Sequence, residues 1–224
     1  MSVNTNPLAK LVPEGETGPF LTTRHNERIY YASFTADNVR LPDIAAHLSC
    51  INRWIGAIGP FSVAQHCVQL ADHALTTFTG AFPSQLSAVL DSLRERGAHE
   101  SEQHTRRRFA FALLMHDVDE YITNDFPGPL KQFFPLLSEY GDYVRSVVWQ
   151  KYSIDPHWYS YCKEWDRRIL INEAEWGLGT RDAISPKPSE KLSHIKGLTI
   201  KIDRHAWTPQ DAEQRFINMF ARLQ

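Results

Sequence analysis

The sequence predicts an all-α fold with, at most, a small peripheral β-hairpin or strand pair. Apolar side chains recur at helical spacing in several segments, prolines and glycines separate these segments, and strand-like residues form only short runs near the two ends. The 224 residues, 42% of them hydrophobic, are enough for one packed domain. We expect a flexible N-terminal arm at 1–24, rich in Pro, Gly and Thr, and a single domain at 25–224.

The first half of that domain contains two predicted helices. Pro42 opens the first, "PDIAAHLSCINRW", which places Ile44, Leu48 and Ile51 on one face. Ser62 is the expected N-cap of the second, "SVAQHCVQLADHALTTF".

The second half is also predicted to be mainly helical. A strongly apolar helix is expected at 109–116, where the two prolines of "DFPGPL" prevent its continuation. A long helix is expected from Pro129 to about Lys151, and another at Tyr161–Gly179 with glycines at its end. The terminal segment 209–223 is an amphipathic helix.

Four segments are predicted to lie outside the helices. "RIYYASF" (Arg28–Phe34) and "LTIKI" (Leu198–Ile202) contain β-branched and aromatic residues and are expected to be short strands. The charged run Arg94–Arg108 is expected to be a solvated face or a mobile loop. "ISPKPSEK" (184–191) reads as a connector.

Composition argues against several classes of function. The net charge of -2 lacks the basic excess that is typical of nucleic-acid binding. The N-terminal segment has no apolar core like that of a signal peptide, and no apolar run approaches the roughly 20 residues that span a bilayer. The three cysteines form no CxxC pair, which favours reduced core thiols. We therefore expect a cytoplasmic protein with neither nucleic acid nor membrane as a partner.

A cluster of acids follows the apolar helix in "LLMHDVDEYITNDFPGPLK". His116 and Asp117 are adjacent, and Asp119, Glu120 and Asp125 follow within eight residues. Negative charge at a helix C-terminus opposes the macrodipole, so these carboxylates are unfavourable there without a cation. The dipeptide alone is weak evidence, because a satisfied core histidine beside a helix-terminal aspartate gives the same pattern.

A wider pattern links this dipeptide to a known superfamily. A single histidine, the His-Asp pair and a later aspartate lie on separate predicted helices, an order that resembles the HD-domain phosphohydrolases. Within them, "INRW", "SVAQHC" and "HDVDEYITNDFPGPLK" resemble bacterial and prophage 5′-deoxynucleotidases and, more closely, phage dATP triphosphohydrolases. The likeness runs from "RIYYASF" to the final helix, and it implies an HD-type helical bundle.

The resemblance implies a metal centre and two catalytic acids. A divalent ion, which the sequence does not identify among Co, Mn, Zn and Mg, would be bound by His66, His116, Asp117 and Asp166. These four N and O ligands would leave room for water and a phosphoryl oxygen around a six-coordinate ion. Glu120 and Asp125 match the family's second pair of acids, with roles in orienting water and in general acid–base steps. Asp119 has no counterpart and is expected to be a solvated surface residue.

The resemblance also implies residues for the substrate. Arg53 matches a phosphate-binding arginine, and its planar, permanently charged group suits phosphate oxygens. Trp54 matches the residue that packs on the sugar and excludes a 2′-hydroxyl, although core packing is the common role of Trp. Lys131 is either a phosphate contact or a solvated lysine at a helix start. The segment after Arg53 is short and glycine-rich, and three of its residues are expected to shape a purine pocket: Ile55, Gly56 and Ile58.

The predicted activity is metal-dependent hydrolysis of the ester between the α-phosphorus and O5′ of a 2′-deoxynucleotide. The favoured substrate is dATP, and a 5′-deoxynucleotidase acting on monophosphates is the alternative. Two further readings are a non-catalytic regulatory protein that binds metal or nucleotide, and a cyclic-nucleotide or alarmone phosphodiesterase. The aromatic residues of "DPHWYSY" (Asp155–Tyr161) are expected to be exposed and to form an interface. Since the family that the chain resembles commonly oligomerises, we expect a homo-oligomer in the cytoplasm of a bacterium or of a phage-infected host.

Overall fold

The computed structural model describes residues 5–76, 101–184, 197–198, 200, 202–203 and 205–224. These residues form eight α-helices and one two-stranded antiparallel sheet, which confirms the predicted helical class with a small peripheral hairpin. Within the same ranges, the helices are too short or too polar to cross a membrane.

The regular elements are short, and most are separated by tight turns. The strands are β1 (Phe20–Thr22) and β2 (Arg28–Tyr30). The α-helices are α1 (Leu41–Cys50), α2 (Val63–Thr76), α3 (Glu102–Leu114), α4 (Glu120–Thr123), α5 (Gly128–Lys131), α6 (Pro135–Lys151), α7 (Tyr159–Leu178) and α8 (Pro209–Leu223). Single 3-10 turns lie at Ala9–Leu11, Tyr31–Ser33, Ala36–Asn38, Arg53–Gly56, Pro156–Trp158 and Arg181–Ile184.

Helix α2 runs through the centre of the fold. It packs against α3, α8 and α1, and most of its side chains are buried. The predicted cap is present, because the backbone N–H of Gln65 donates to the Ser62 hydroxyl at 3.1 Å. Four polar residues of this helix also lie within the protein interior: Gln65, His66, Gln69 and His73.

The hairpin covers an edge of this core. Leu21 of β1 pairs with Ile29 of β2, and the Ile29 side chain is buried. The β2 strand begins at the predicted residue but ends at Tyr30, and its partner β1 lies within the segment assigned to the N-terminal arm. The second predicted strand, 198–202, is described only at residues 198, 200 and 202, which are not in a strand.

Several predicted helix boundaries are wrong. Helix α3 begins at Glu102, where the Ser101 hydroxyl accepts from the backbone of His104 at 3.3 Å. Residues 102–108 of the charged run are therefore helical. Residues 94–100 of that run and residues 185–191 of the connector lie outside the described residues. The long helix predicted from Pro129 is divided into α5 and α6, with Pro135 at the start of α6. Helix α1 ends at Cys50, before Trp54.

The aromatic segment after α6 packs inward. Trp158 is only 2% exposed, and its ring centroid lies 5.5 Å from that of Phe109. Tyr159 lies beneath the guanidinium of Arg145, 3.8 Å from the ring centroid. The expectation that this segment exposes aromatic side chains is therefore wrong for Trp158. Exposed apolar side chains lie instead between α5 and α6, where Phe133 is 79% exposed.

Candidate metal centre

The side chains that were predicted to bind metal converge in the interior of the protein. His66 lies on α2, His116 and Asp117 lie in the turn after α3, and Asp166 lies on α7. The two Nε2 atoms of the histidines are 3.3 Å apart. The Oδ2 atom of Asp117 is 3.0 Å from Nε2 of His116, and Oδ1 of Asp166 is 3.4 Å from Nε2 of His66. Four ligand atoms from three parts of the chain thus share one small space.

Hydrogen bonds on the far side of each ring determine which nitrogen carries a proton. Nδ1 of His66 lies 2.6 Å from Oε1 of Glu173, and Nδ1 of His116 lies 2.7 Å from the carbonyl oxygen of Leu113. An ionised carboxylate and a carbonyl can only accept, so each Nδ1 is the donor. In the neutral form of each ring, Nε2 then presents a lone pair to the carboxylate oxygens. Burial would lower the pKa of His116, but Asp117 raises it well above its ordinary value, so this space favours a positive charge, which a bound cation could supply.

The donor types fit a divalent transition metal, because imidazole nitrogen and carboxylate oxygen together suit Zn, Mn, Co or Fe. One group of four buried residues could hold an ion, because its ligand atoms all lie within 4.8 Å of one another. The group consists of His66, Cys67, His116 and Asp117. The Sγ atom of Cys67 is 3.9 Å from Nδ1 of His116, on the ring edge opposite Nε2. Burial raises the pKa of the Cys67 thiol, which keeps it protonated and a poor ligand.

Asp166 is better placed than Cys67 to share an ion with the two histidines. Its Oδ1 atom is buried and has no hydrogen-bond partner among the residues that the structure describes. Burial would raise the pKa of Asp166, but the neighbouring His116 and His66 side chains and the guanidinium of Arg53 keep this pKa well below its ordinary value. The ionised oxygen therefore faces both Nε2 atoms.

Glu173 is a central residue that the sequence analysis missed. It lies on α7 and is completely buried. Its Oε2 atom accepts from Nε of Arg53 at 3.0 Å and from the indole N–H of Trp54 at 2.8 Å. Glu173 follows Asp166 by seven residues, which is two helical turns and the same face of α7, and this spacing was the available signal.

Arg53 lies among the carboxylates of the cluster. It is 6% exposed, and its Nη1 and Nη2 atoms lie 3.4 Å from Oδ2 of Asp117 and 3.6 Å from Oδ1 of Asp166. Burial would lower the pKa of Arg53, but Glu173, Asp166 and Asp117 raise it well above its ordinary value. The structure therefore places the predicted phosphate-binding residue beside the predicted metal ligands.

The loop 52–62 carries Arg53 and Trp54, and its base is closed by backbone hydrogen bonds. Arg53 donates to the Phe61 carbonyl at 2.9 Å, and Val63 donates to the Ile51 carbonyl at 2.9 Å. At the tip, Trp54 (φ 59°) and Ile55 (φ 53°) are in the left-handed region, which is unfavourable for a β-branched residue such as Ile. Such strain persists only where surrounding contacts enforce it.

The three predicted purine-pocket residues occupy different positions in this loop. Ile55 is 76% exposed at the tip, and Gly56 has a φ of 79°. Ile58 is buried and packs against Gly177 of α7, where an added side chain would collide with it. The Ile58 side chain thus anchors the loop to α7, whereas Ile55 and Gly56 lie on its outer part.

The two predicted catalytic acids lie on the outer side of the cluster. Glu120 is buried at the start of α4, and its Oε2 atom has no hydrogen-bond partner in the described part of the chain. Burial, with Asp117 and Asp125 nearby, raises the pKa of Glu120 well above its ordinary value. Burial also raises the pKa of the partly exposed Asp125, and Arg53 opposes this shift.

One lysine lies beside Glu120, and another lies beside two of the predicted metal ligands. Nζ of Lys131 lies 3.8 Å from Oε1 of Glu120. Lys163, which the sequence analysis did not single out, is 46% exposed, and its Nζ lies 3.9 Å from Oδ2 of Asp166 and 4.0 Å from Oδ1 of Asp117. These are the carboxylate oxygens that face away from the histidines. Lys163 therefore lies on the solvent side of the cluster.

Asp119 is not a solvated surface residue, so that prediction is wrong. Its side chain is buried, and its Oδ1 atom is 3.4 Å from Nη1 of Arg145. Gly141 on α6 leaves room for it, because a Cβ there would lie 2.7 Å from Oδ2 of Asp119. Asp119 is part of an ion pair between α6 and the turn before α4.

Comparison with known proteins identifies a relative without a described activity. No protein-family model matches the chain. The chain is 30% identical over 155 residues to the uncharacterized protein YfdR of Escherichia coli (strain K12), an alignment that covers 69% of this chain and 70% of that protein.

Proposed function

The chain belongs to the same family as YfdR, and from its site we propose that it is a metal-dependent hydrolase of 2′-deoxynucleotides. The observation that carries this proposal is the convergence of two imidazole Nε2 atoms with oxygens of Asp117 and Asp166, beside the partly exposed Lys163. The substrate class is inferred from the resemblance of the motifs around Arg53, His66 and His116 to deoxynucleotide hydrolases.

The proposed ligands of the metal are His66, His116, Asp117 and Asp166. A bound divalent ion would lower the pKa of a coordinated water and polarise the phosphate under attack. Glu173 and the Leu113 carbonyl orient the two imidazoles by accepting their Nδ1 protons. This arrangement supports the metal assignment, because metal-binding histidines usually donate their other N–H to a carboxylate or carbonyl.

Glu120 is the proposed proton carrier of the reaction. Its buried Oε2 atom lacks a partner within the described residues, and burial with Asp117 nearby raises its pKa well above the ordinary value, which favours the protonated form. A group of this kind can orient the attacking water and exchange a proton with it. Lys131 restrains the other oxygen of this carboxyl group, and Asp125 is proposed to assist from the adjacent turn.

The proposed phosphate contacts are Arg53, Lys131 and Lys163. Arg53 supplies a rigid fork of donors, and the two lysines supply mobile charges at the opening of the site. Trp54 is proposed to pack against the sugar and to leave no room for a 2′-hydroxyl. The closer resemblance to phage enzymes favours dATP as the substrate, with deoxynucleoside monophosphates as the alternative.

A direct assay separates these substrates. The purified protein, loaded with Mn²⁺ or Co²⁺, is incubated with dATP, dAMP and ATP, and nucleosides, phosphate and triphosphate are separated by chromatography. We expect deoxyadenosine from dATP together with intact triphosphate. Phosphate from dAMP alone would identify a 5′-deoxynucleotidase.

An Asp166→Ala variant, purified in parallel, excludes a contaminating phosphatase if its activity is lost. A wild-type protein that binds metal but hydrolyses none of the three nucleotides would contradict the proposal and favour the non-catalytic reading.

A further inference from the structure

We propose that Glu173 is a positioning residue that couples the metal ligand His66 to the substrate-binding residues Arg53 and Trp54. This inference rests on the proposed function for the roles of those three residues. Glu173 itself would touch neither the metal nor the substrate, because each of its oxygens already accepts from a protein donor.

The first observation is the distribution of three donors over one carboxylate. Oε1 of Glu173 accepts from Nδ1 of His66 at 2.6 Å, and Oε2 accepts from Arg53 at 3.0 Å and from Trp54 at 2.8 Å. Only an ionised carboxylate has acceptor sites on both oxygens for all three donors. Because the side chain is completely buried, water does not replace any of these bonds.

The second observation concerns His66. The bond to Glu173 fixes the proton on Nδ1, so Nε2 is directed at the shared space with its lone pair free. A carboxylate partner also makes the imidazole more basic, and losing such a partner typically weakens metal binding about 10–100-fold.

The third observation concerns the loop 52–62. Trp54 and Ile55 adopt left-handed backbone conformations that they disfavour, so other contacts must hold the loop. The indole of Trp54 and the guanidinium of Arg53 are both bonded to Oε2 of Glu173 on α7. One carboxylate therefore holds the histidine in its metal-binding orientation and the loop in its strained conformation.

The test uses Glu173→Gln, which keeps the size of the side chain but replaces one acceptor oxygen with a donor. In either orientation the amide N–H₂ faces donors, either Nδ1–H of His66 or the N–H groups of Arg53 and Trp54. Glu175→Gln is the matched control, because Glu175 lies on the same helix, is exposed and pairs with Arg181 at 3.1 Å. Glu173→Asp is the second variant, since it keeps the charge that Arg53 needs but is too short to bridge all three partners.

Two readouts are compared for wild type and variants. The first is the affinity for Mn²⁺ by calorimetry, which we expect to fall about 10–100-fold in Glu173→Gln and less in Glu173→Asp. The second is the rate of native-state trypsin cleavage after Arg53, identified by fragment mass. Arg53 is protected by burial, and we expect cleavage to accelerate at least about 10-fold once the loop is released, relative to the Glu175→Gln control.

The coupling requires both readouts to change together in the two Glu173 variants. A change in Mn²⁺ affinity without faster cleavage, or the reverse, would overturn it, as would variants that match Glu175→Gln in both. A wild-type protein that binds Mn²⁺ but hydrolyses no deoxynucleotide would contradict the proposed function alone, because the dependence of Mn²⁺ affinity on Glu173 would still be measured.

Discussion

Asp117 and Asp119 lie two residues apart and are each 7% exposed, yet they belong to different clusters. Asp119 faces Arg145, which also pairs with Asp142 and lies over the ring of Tyr159. Asp117 faces the Nε2 atom of His116, which presents a lone pair when the ring is neutral. The same residue type at the same burial is paired with Arg145 in one cluster, and in the other it lies beside a histidine, Arg53 and Lys163.

This difference distinguishes a carboxylate that the protein's own cation compensates from one that is proposed to bind a metal ion. A buried carboxylate is expensive unless donors or a cation compensate it. In the cluster of Asp119 the protein supplies the cation itself, through Arg145. In the cluster of Asp117 the protein supplies Arg53 and Lys163, but a second aspartate, Asp166, lies in the same space and increases the demand for positive charge.

The largest effect on activity is expected when Asp117 is replaced by alanine, and Asp119→Ala is the matched comparison. Asp117→Ala should abolish hydrolysis and bound metal, because it removes a proposed ligand. Asp119→Ala should retain bound metal per folded molecule, because Asp119 faces away from the histidines. Metal content by atomic spectroscopy and turnover of dATP check both variants. An active Asp117→Ala variant would remove the ligand assignment.

Glu120→Ala is expected to have the next largest effect. It should keep the metal but lower the rate by roughly 10²–10⁴-fold, the usual contribution of a general acid–base group. The measurement is kcat for the variant at saturating Mn²⁺, with metal content determined on the same sample. Loss of metal in this variant would instead place Glu120 among the ligands.

Arg145→Met tests the structural cluster. It leaves Asp119 as a buried charge without its partner, and we expect a loss of about 3–5 kcal/mol in the free energy of unfolding. Urea denaturation measures this change. The double variant with Asp119→Asn should recover part of the loss, and a single variant as stable as wild type would show that water compensates Asp119.

The smallest effect is expected from Trp54→Ala, which tests discrimination between substrates and not metal binding. If the indole excludes a 2′-hydroxyl, the ratio of kcat/KM for dATP to that for ATP should fall by about 10–100-fold. Both nucleotides are assayed with the same metal-loaded protein. Unchanged discrimination would give Trp54 a packing role only.

The motifs of the sequence predict the four proposed ligands without any tertiary information. The structure brings these residues close together: His66, His116, Asp117 and Asp166. Glu173 and Lys163 were missed because an acid or a lysine within an ordinary amphipathic helix has no local feature that distinguishes it. Their spacing from Asp166 has meaning only once the face of α7 towards the cluster is known.

Local sequence is sufficient to predict the helical class, the cap at Ser62 and the glycine end of α7, where Gly179 has a φ of 72°. These features follow from hydrogen bonds and apolar spacing within a few residues, so local sequence contains the necessary information. Three other features can be seen only in the folded structure. Arg145 pairs with Asp119, Trp158 packs inward, and Glu173 joins α7 to the loop 52–62. Each depends on partners more than 20 residues away, whose distance and orientation are set by the packing of the whole core.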